Sequence, residues 1–289
     1  MKKLLNVFQI DAFSNKPFQG NPAGVVYSDD LNDEEMQLIA RELNVSETAF
    51  ISKSDLADFH LRWFTPKVEV KLCGHATIAS MHYLIQLGLI KKNKEITFYT
   101  LSGILTCYSK GDLYYLKLPI PKIELFRGNR EEILKALSIK AESVNHNFPF
   151  LLADQSYLFI FIKSLAELGE LKPDYVSLLN LTEQKNEFEA VTVFTKETFE
   201  KTNSAHLRFF APAFGIDEDP VTGSANGPLL LVLMEMGLID KNTSGGTFIF
   251  EQGDFIGRKG RVNVNYSSKG DNLTIAGNAI TILTGELNF

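Results

Sequence analysis

Arg62-Trp63-Phe64-Thr65-Pro66 and Arg208-Phe209-Phe210-Ala211-Pro212 follow one pattern at an offset of 146 (208 − 62). A few residues on, Gly74-His75-Ala76 is matched by Gly223-Ser224-Ala225 at an offset of 149 (223 − 74). Each opens an apolar run that ends in the same tripeptide, Gly88-Leu89-Ile90 and Gly237-Leu238-Ile239, again at 149 (237 − 88). Residues 98–103 then pair with 248–253 at 150 (248 − 98). A single match of this kind arises easily by chance, but four in one order point to a duplicated unit of strand, turn, glycine, central helix, turn and strand. The offset is far too long for a solenoid and fits a duplicated domain.

The two apolar runs carry few polar side chains: His82 and Gln86 in 79–87, and Glu235 in 229–236. A helix apolar nearly all round must be buried on nearly all sides, and both are too short to span a bilayer. Residues 8–13, 24–27, 49–52, 59–64, 96–101 and 113–118 read as short strands rich in aromatic and β-branched residues. Each half is therefore expected to be a curved, mostly antiparallel sheet wrapped around one helix, an α+β fold. A separate surface helix is expected over 32–43, with Asn32 as N-cap, Glu35 completing a capping box, and Leu31 and Met36 as a hydrophobic staple. A further helix is expected over 130–137. Pro119-Ile120-Pro121 marks the domain boundary, giving residues 1–118 and 119–279 as the two domains.

Composition narrows the function. The 289 residues are 45% hydrophobic and 22% charged, as in a globular protein, and the net charge is −6. That balance gives no basic face for nucleic acid or an anionic membrane. No apolar run reaches the length of a transmembrane helix, and Gln9 and Asp11 interrupt the first apolar stretch too early for a signal peptide. Cys73 and Cys107 provide neither a disulfide framework nor a zinc site. The expected setting is the cytoplasm, with both thiols reduced. The histidines show no metal-ligand spacing, neither common phosphate loop is present, and no nucleophile elbow can be drawn. The expectation is a protein without metal or cofactor.

Both central helices begin at a glycine beside polar residues. Helix N-termini offer unpaired N–H groups and partial positive charge, and so bind anions. If a pseudo-twofold axis relates the halves, the starts at Gly74 and Gly223 face each other across one cleft and hold a small anionic substrate. Close packing alone explains the glycines but not Cys73, His75, Asp219, Thr222 and Ser224 beside them. His75, in the first turn of a buried helix, is expected to act neutral, as an orienting donor. Asp219 reads equally as an acidic helix cap and as a site residue. Cys73 reads as a thiol stabilised at a helix start or as a small buried filler. Asn21, in Gly20-Asn21-Pro22-Ala23, either presents an amide to the cleft or forms the turn. Arg62 and Arg208 read as salt-bridge formers that hold the duplicated turn. Glu47 taken alone reads as a solvated residue at a strand start.

Asp11-Ala12-Phe13, Gly20-Asn21-Pro22-Ala23, Ser46-Glu47-Thr48-Ala49-Phe50, Cys73-Gly74-His75-Ala76-Thr77 and Glu218-Asp219-Pro220-Val221-Thr222-Gly223-Ser224-Ala225, with Gln252-Gly253 further on, together resemble the PhzF family of phenazine biosynthesis-like isomerases. The resemblance covers essentially the whole chain. It implies a diaminopimelate epimerase-like fold with two similar domains, an active site between them, and a C-terminal strand over 280–289 that returns to the first domain. It also implies a homodimer. In the phenazine enzyme, the glutamate matching Glu47 moves a proton on one face of dihydro-hydroxyanthranilate, and residues matching His75, Asp219 and Ser224 surround the substrate. By the same resemblance Ser46, Gly74 and Gly223 join the substrate site. The epimerase branch uses two cysteines, one at each helix start. Here Cys73 holds the first place and Thr222 the second, which does not suit two-thiol racemisation. The expected activity is a cofactor-independent isomerisation with Glu47 as the single acid/base. The rivals are a Cys73-dependent epimerase or racemase and a non-catalytic small-molecule binding protein.

Overall fold

The computed structural model describes residues 3–154, 156–185, 187–241, 243, 246–267 and 272–289. The first half runs β1 (Leu4–Ala12), β2 (Asn21–Tyr27), α1 (Asp33–Leu43), β3 (Glu47–Ser52), β4 (Phe59–Phe64), β5 (Glu69–Val70), α2 (Gly74–Gln86), β6 (Glu95–Thr100), β7 (Gly103–Lys110) and β8 (Leu113–Leu118). The second runs β9 (Ile123–Leu125), α3 (Arg130–Ala136), β10 (Leu151–Ala153), β11 (Tyr157–Phe161), α4 (Leu165–Gly169), α5 (Tyr175–Lys185), β12 (Ala190–Thr195), β13 (Ala205–Ala211), β14 (Ile216–Asp219), α6 (Gly223–Glu235), β15 (Thr247–Gln252), β16 (Gly260–Ser267), β17 (Asn272–Gly277) and β18 (Ala279–Asn288).

The strand pairings repeat as the sequence does. In the first half β2 is parallel to β3, β3 antiparallel to β4, and β4 parallel to β6. In the second, β11 is parallel to β12, β12 antiparallel to β13, and β13 parallel to β15. The halves join where β8 pairs antiparallel with β17, Leu116 opposite Ile275. Past that seam β9 pairs with β10 within the second half, and the C-terminal β18 crosses back to pair with β1 of the first. The result is α+β, two curved and mostly antiparallel sheets, each around a buried helix.

Arg62 and Arg208 perform the same task in their halves. Arg62 grips Glu69 with two hydrogen bonds of 2.7 Å, and Arg208 grips Glu218 with bonds of 2.8 and 2.7 Å. Each guanidinium also lies 5.1 Å from the ring two residues on, Phe64 or Phe210. The bidentate fork and the stacked ring hold the turn that leads into each central helix. Surface helix α1 carries the expected capping box between Asn32 and Glu35. Strand β1 stops one residue short of the expectation, because Phe13 adopts a left-handed φ of 63°. No helix among the described residues is long and apolar enough to cross a membrane.

Packing, not propensity, holds α6. Gly223, Gly227 and Pro228 crowd its first half, and Gly and Pro cost about 1 and about 3 kcal/mol in a helix interior. Against this, Leu229, Leu230, Val232 and Leu233 are fully buried, each contributing roughly 1.5–3 kcal/mol. At its N-terminus α6 meets α2. A Cβ on Gly74 would lie 3.1 Å from Gly223 Cα, so the two helix starts touch backbone to backbone. A Cβ on Gly223 would first meet the flexible end of Ile275, at 2.5 Å. Gly74→Ala is therefore expected to destabilise by about 1–3 kcal/mol through overpacking, and Gly223→Ala by less. Thermal denaturation of both variants checks this; a Gly74→Ala melting temperature within about a degree of wild type would show that the contact does not constrain the fold.

Candidate active site

The touching helix starts open into a cavity of about 510 Å³ between the halves, lined by Glu47, Cys73, Gly74, His75, Asp219, Thr222, Gly223 and Ser224 among others. First-turn amides have no acceptor within their own helix, so both helices point donors and partial positive charge at this space. The two starts are built alike. Thr77 Oγ1 donates to the Cys73 carbonyl at 2.6 Å, and Asn226 Nδ2 donates to the Thr222 carbonyl at 2.8 Å. Gln252 secures the second start, accepting from the Thr222 amide at 2.8 Å and donating to the Asp219 carbonyl at 2.9 Å.

Strand β3 brings Glu47, its first residue, to the wall beside α2. Its Oε2 lies 3.2 Å from His75 Nε2, yet the pair is not aligned for a hydrogen bond, and both atoms are buried without a hydrogen-bond partner. Burial pushes the Glu47 carboxyl well above its ordinary value, the nearby Asp219 charge pushes the same way, and the Cys73 thiol opposes them more weakly. Asp219 is also raised by burial, to about 6, although Thr222 Oγ1 and Asn21 Nδ2 donate to its two oxygens. The better-satisfied Asp219 therefore keeps the charge, and Glu47 keeps the proton.

His75 is held down to about 3 by burial and is neutral. Its Nδ1 faces two donors, Asn21 Nδ2 at 3.1 Å and the Cys73 thiol at 3.5 Å. Nδ1 thus accepts, and the ring proton sits on Nε2, facing Glu47. Burial raises the Cys73 thiol well above its ordinary value, and the Glu47 charge adds to this. The helix start does not acidify the thiol, so the buried-filler reading describes Cys73 better than the stabilised thiolate.

Two residues expected at the substrate stand one layer back from the cavity. Asn21 is fully buried and ties the halves together, donating to Asp219 at 2.7 Å and to the Val221 carbonyl at 2.9 Å. Ser46 donates to Asn21 Oδ1 at 3.2 Å. One lining residue, Tyr157, escaped the sequence reading. Only the register of β11 against β12 reveals where it points.

Glu47, Cys73 and His75 place three donors within 4.8 Å of one another and are the set with which the site could hold a cation. Their protonated or neutral states suit handling a proton better. His206, Glu251 and Asp254 form a second such cluster, which the spacing of histidines in the sequence did not suggest. There Glu251 is already occupied by the Phe199 and Glu200 amides, Asn203 and His206, and Asp254 is paired with Arg261.

Because folding raises the Glu47 pKa, it favours the protonated form. That stability is fully present below the unfolded value near 4.5 and is lost as pH rises through the folded value. Glu47→Gln keeps the shape without the charge. Its melting temperature should exceed that of wild type at about pH 8 and match it near about pH 4. Thermal melts at the two pH values test this, and equal melting temperatures at both would contradict the buried-carboxyl reading.

Residues 10–285 match the family described as phenazine biosynthesis-like protein, PhzC-PhzF. The uncharacterized isomerase CA_C3446 of Clostridium acetobutylicum is 38% identical, covering 99% of both chains. The uncharacterized isomerase YfhB of Bacillus subtilis is 34% identical, covering 94% of both. Among solved structures, a Bacillus anthracis phenazine biosynthesis protein of the PhzF family superposes with a TM-score of 0.89 at 29% identity, covering 99% of both chains. A hydroxyproline epimerase from Agrobacterium vitis shares the fold, with a TM-score of 0.68 at 13% identity over 99% of this chain and 91% of that one.

Proposed function

The chain belongs to the phenazine biosynthesis-like PhzF family, and from that premise we propose that it is a cofactor-independent isomerase whose single acid/base is Glu47. The observation that carries this reading is the buried Glu47 carboxyl, raised in pKa, with its Oε2 lacking a hydrogen-bond partner and lying beside neutral His75 on the cleft wall. A small anionic substrate, with a carboxylate on the amides of the two helix starts, brings an acidic C–H to Glu47. The ionised fraction of Glu47 takes that proton, and the electron pair moves into an enolate-like system. The His75 Nε2–H and the first-turn amides oppose the developing charge. Glu47 then returns the proton to a different carbon on the same face, so one base suffices.

The rival epimerase reading needs a reactive thiol. The raised Cys73 thiol and Thr222 at the matching helix start weigh against it. Cys73→Ser is accordingly expected to keep its activity.

Deuterium incorporation from heavy water into dihydro-hydroxyanthranilate and a panel of cyclic hydroxy- and amino-carboxylates tests the proposal. Wild type should exchange at least one of them, and Glu47→Gln should lose about 100- to 10,000-fold. Exchange that survives that substitution would falsify the assignment of the base, and a wild type inert towards the whole panel would favour the binding-protein reading. The same assay run against pH has a signed outcome. Rate should rise with pH as Glu47 ionises. Asp219→Asn removes the charge that raises the Glu47 pKa, so the rising limb should move to lower pH.

A further inference from the structure

The duplication allows the two walls of the cleft to be compared position by position. Phe50 lies opposite Arg62 across β3 and β4, and Val193 lies opposite Arg208 across β12 and β13. Since the arginines correspond, counting back along each strand makes Ala190 the counterpart of Glu47. The parallel neighbours extend the match. Ala23 lies beside Glu47, and Tyr157 lies beside Ala190, so Tyr157 is the counterpart of Ala23. Each half thus presents one large functional side chain and one alanine at this place, with the order exchanged: glutamate on β3 in the first half, tyrosine on β11 in the second.

The partner on the helix is exchanged as well. Ser224 and His75 correspond at the offset of 149 (224 − 75), each the second residue of its central helix. In the first half Glu47 faces His75 at 3.2 Å, and in the second the Tyr157 hydroxyl faces Ser224 Oγ at 3.4 Å. All four residues line the same cavity. The tyrosine ring is held edge-on against Phe209, with centroids 5.1 Å apart and planes at 71°.

We infer that Tyr157 is a substrate-contacting hydrogen-bond donor on the wall opposite Glu47, where its hydroxyl meets the substrate oxygen that gains negative charge when Glu47 removes the proton. The inference rests on the proposed isomerase reading. Tyr157 keeps its proton throughout: the C–H proton goes to Glu47, the electron pair moves towards the substrate oxygen, and the phenol stabilises that oxygen by hydrogen bonding. Burial, with smaller contributions from the Glu189, Glu47 and Cys73 charges, pushes the phenol up to about 12, so it remains a donor at any working pH. The 3.4 Å contact to Ser224 is long for an O–H···O hydrogen bond, which leaves the hydroxyl free to turn towards a substrate. The donor adds to the amides of the helix starts without bringing a charge that would alter Glu47.

The test uses the fastest-exchanging compound of the heavy-water panel as its probe, with wild type, Tyr157→Phe and Glu47→Gln measured together. Tyr157→Phe should lower the saturated exchange rate about 100-fold, as loss of one donor to a developing oxyanion does. Its KM should stay within a few-fold of wild type, and the rising limb of the pH profile should not move. Wild-type exchange in Tyr157→Phe, alongside its loss in Glu47→Gln, overturns the role of Tyr157 and leaves the base standing. Exchange surviving in Glu47→Gln, or absent from wild type across the panel, overturns the isomerase reading and this inference with it. Should Tyr157→Phe not fold, 3-fluorotyrosine at 157 keeps the shape with a more acidic phenol, and an unchanged saturated rate there also overturns the inference.

Discussion

Everything in the cleft depends on two helix N-termini meeting at Gly74 and Gly223, with a Cβ on the first falling 3.1 Å from the backbone of the second. Each end carries roughly half a positive charge, so bringing them together is electrostatically unfavourable unless negative charge is supplied. The chain supplies some of it as Asp219, which Asn21 and Thr222 hold at the second start. The anionic substrate of the proposed reading would supply the remainder. The same contact explains why buried carboxyl groups are tolerated here: the field of two helix ends offsets part of the desolvation that Glu47 and Asp219 incur.

Duplication divided the residues into two groups. Those that build the scaffold stayed alike: Arg62 and Arg208 with their glutamates and rings, and Thr77 and Asn226 bonded back to the helix caps. Those that line the cleft diverged: Cys73 against Thr222, His75 against Ser224, Glu47 against Ala190, and Ala23 against Tyr157. A two-base epimerisation would need a proton-transfer group on each wall. A wall with a carboxyl group facing a wall with hydroxyl groups fits the proposed movement of a proton on a single face.

The repeat, the buried helices and the facing glycines were legible because they rest on local pattern and register, which survive in one dimension. The roles of Arg62 and Arg208 were legible for the same reason, since a repeated charge beside a repeated turn has few other uses. Glu47 was recognisable by resemblance rather than by its own surroundings, because a glutamate at a strand start is ordinarily solvated and only tertiary burial makes it unusual. Asn21 was placed one layer too far forward: its partners Asp219 and Val221 lie about two hundred residues away. The sequence left Cys73 open between a thiol at a helix start and a buried filler, and burial, which raises the thiol, is a tertiary property that decides for the filler. The place of Tyr157 was not legible because it follows from the counterpart relation between β2 and β11, which no single motif carries.

The role proposed for Glu47 is supported by what its neighbours are already doing. The two amide hydrogens of Asn21 are shared among three acceptors, Asp219 at 2.7 Å, the Val221 carbonyl at 2.9 Å and His75 Nδ1 at 3.1 Å. Asp219 has a donor on each oxygen. Cys73 is turned towards His75. The His75 proton lies near Glu47 but off the line of a good bond. Among the described site carboxyls, Glu47 alone is left with a buried oxygen and no hydrogen-bond partner. A group in that state is costly to the fold, because burial is uncompensated. On the proposed reading, a substrate would remove that cost by supplying the missing partner, at the atom assigned to move the proton. On the proposed reading, the network leaves two facing atoms, Glu47 Oε2 and His75 Nε2, without hydrogen-bond partners at the place where a substrate would supply them.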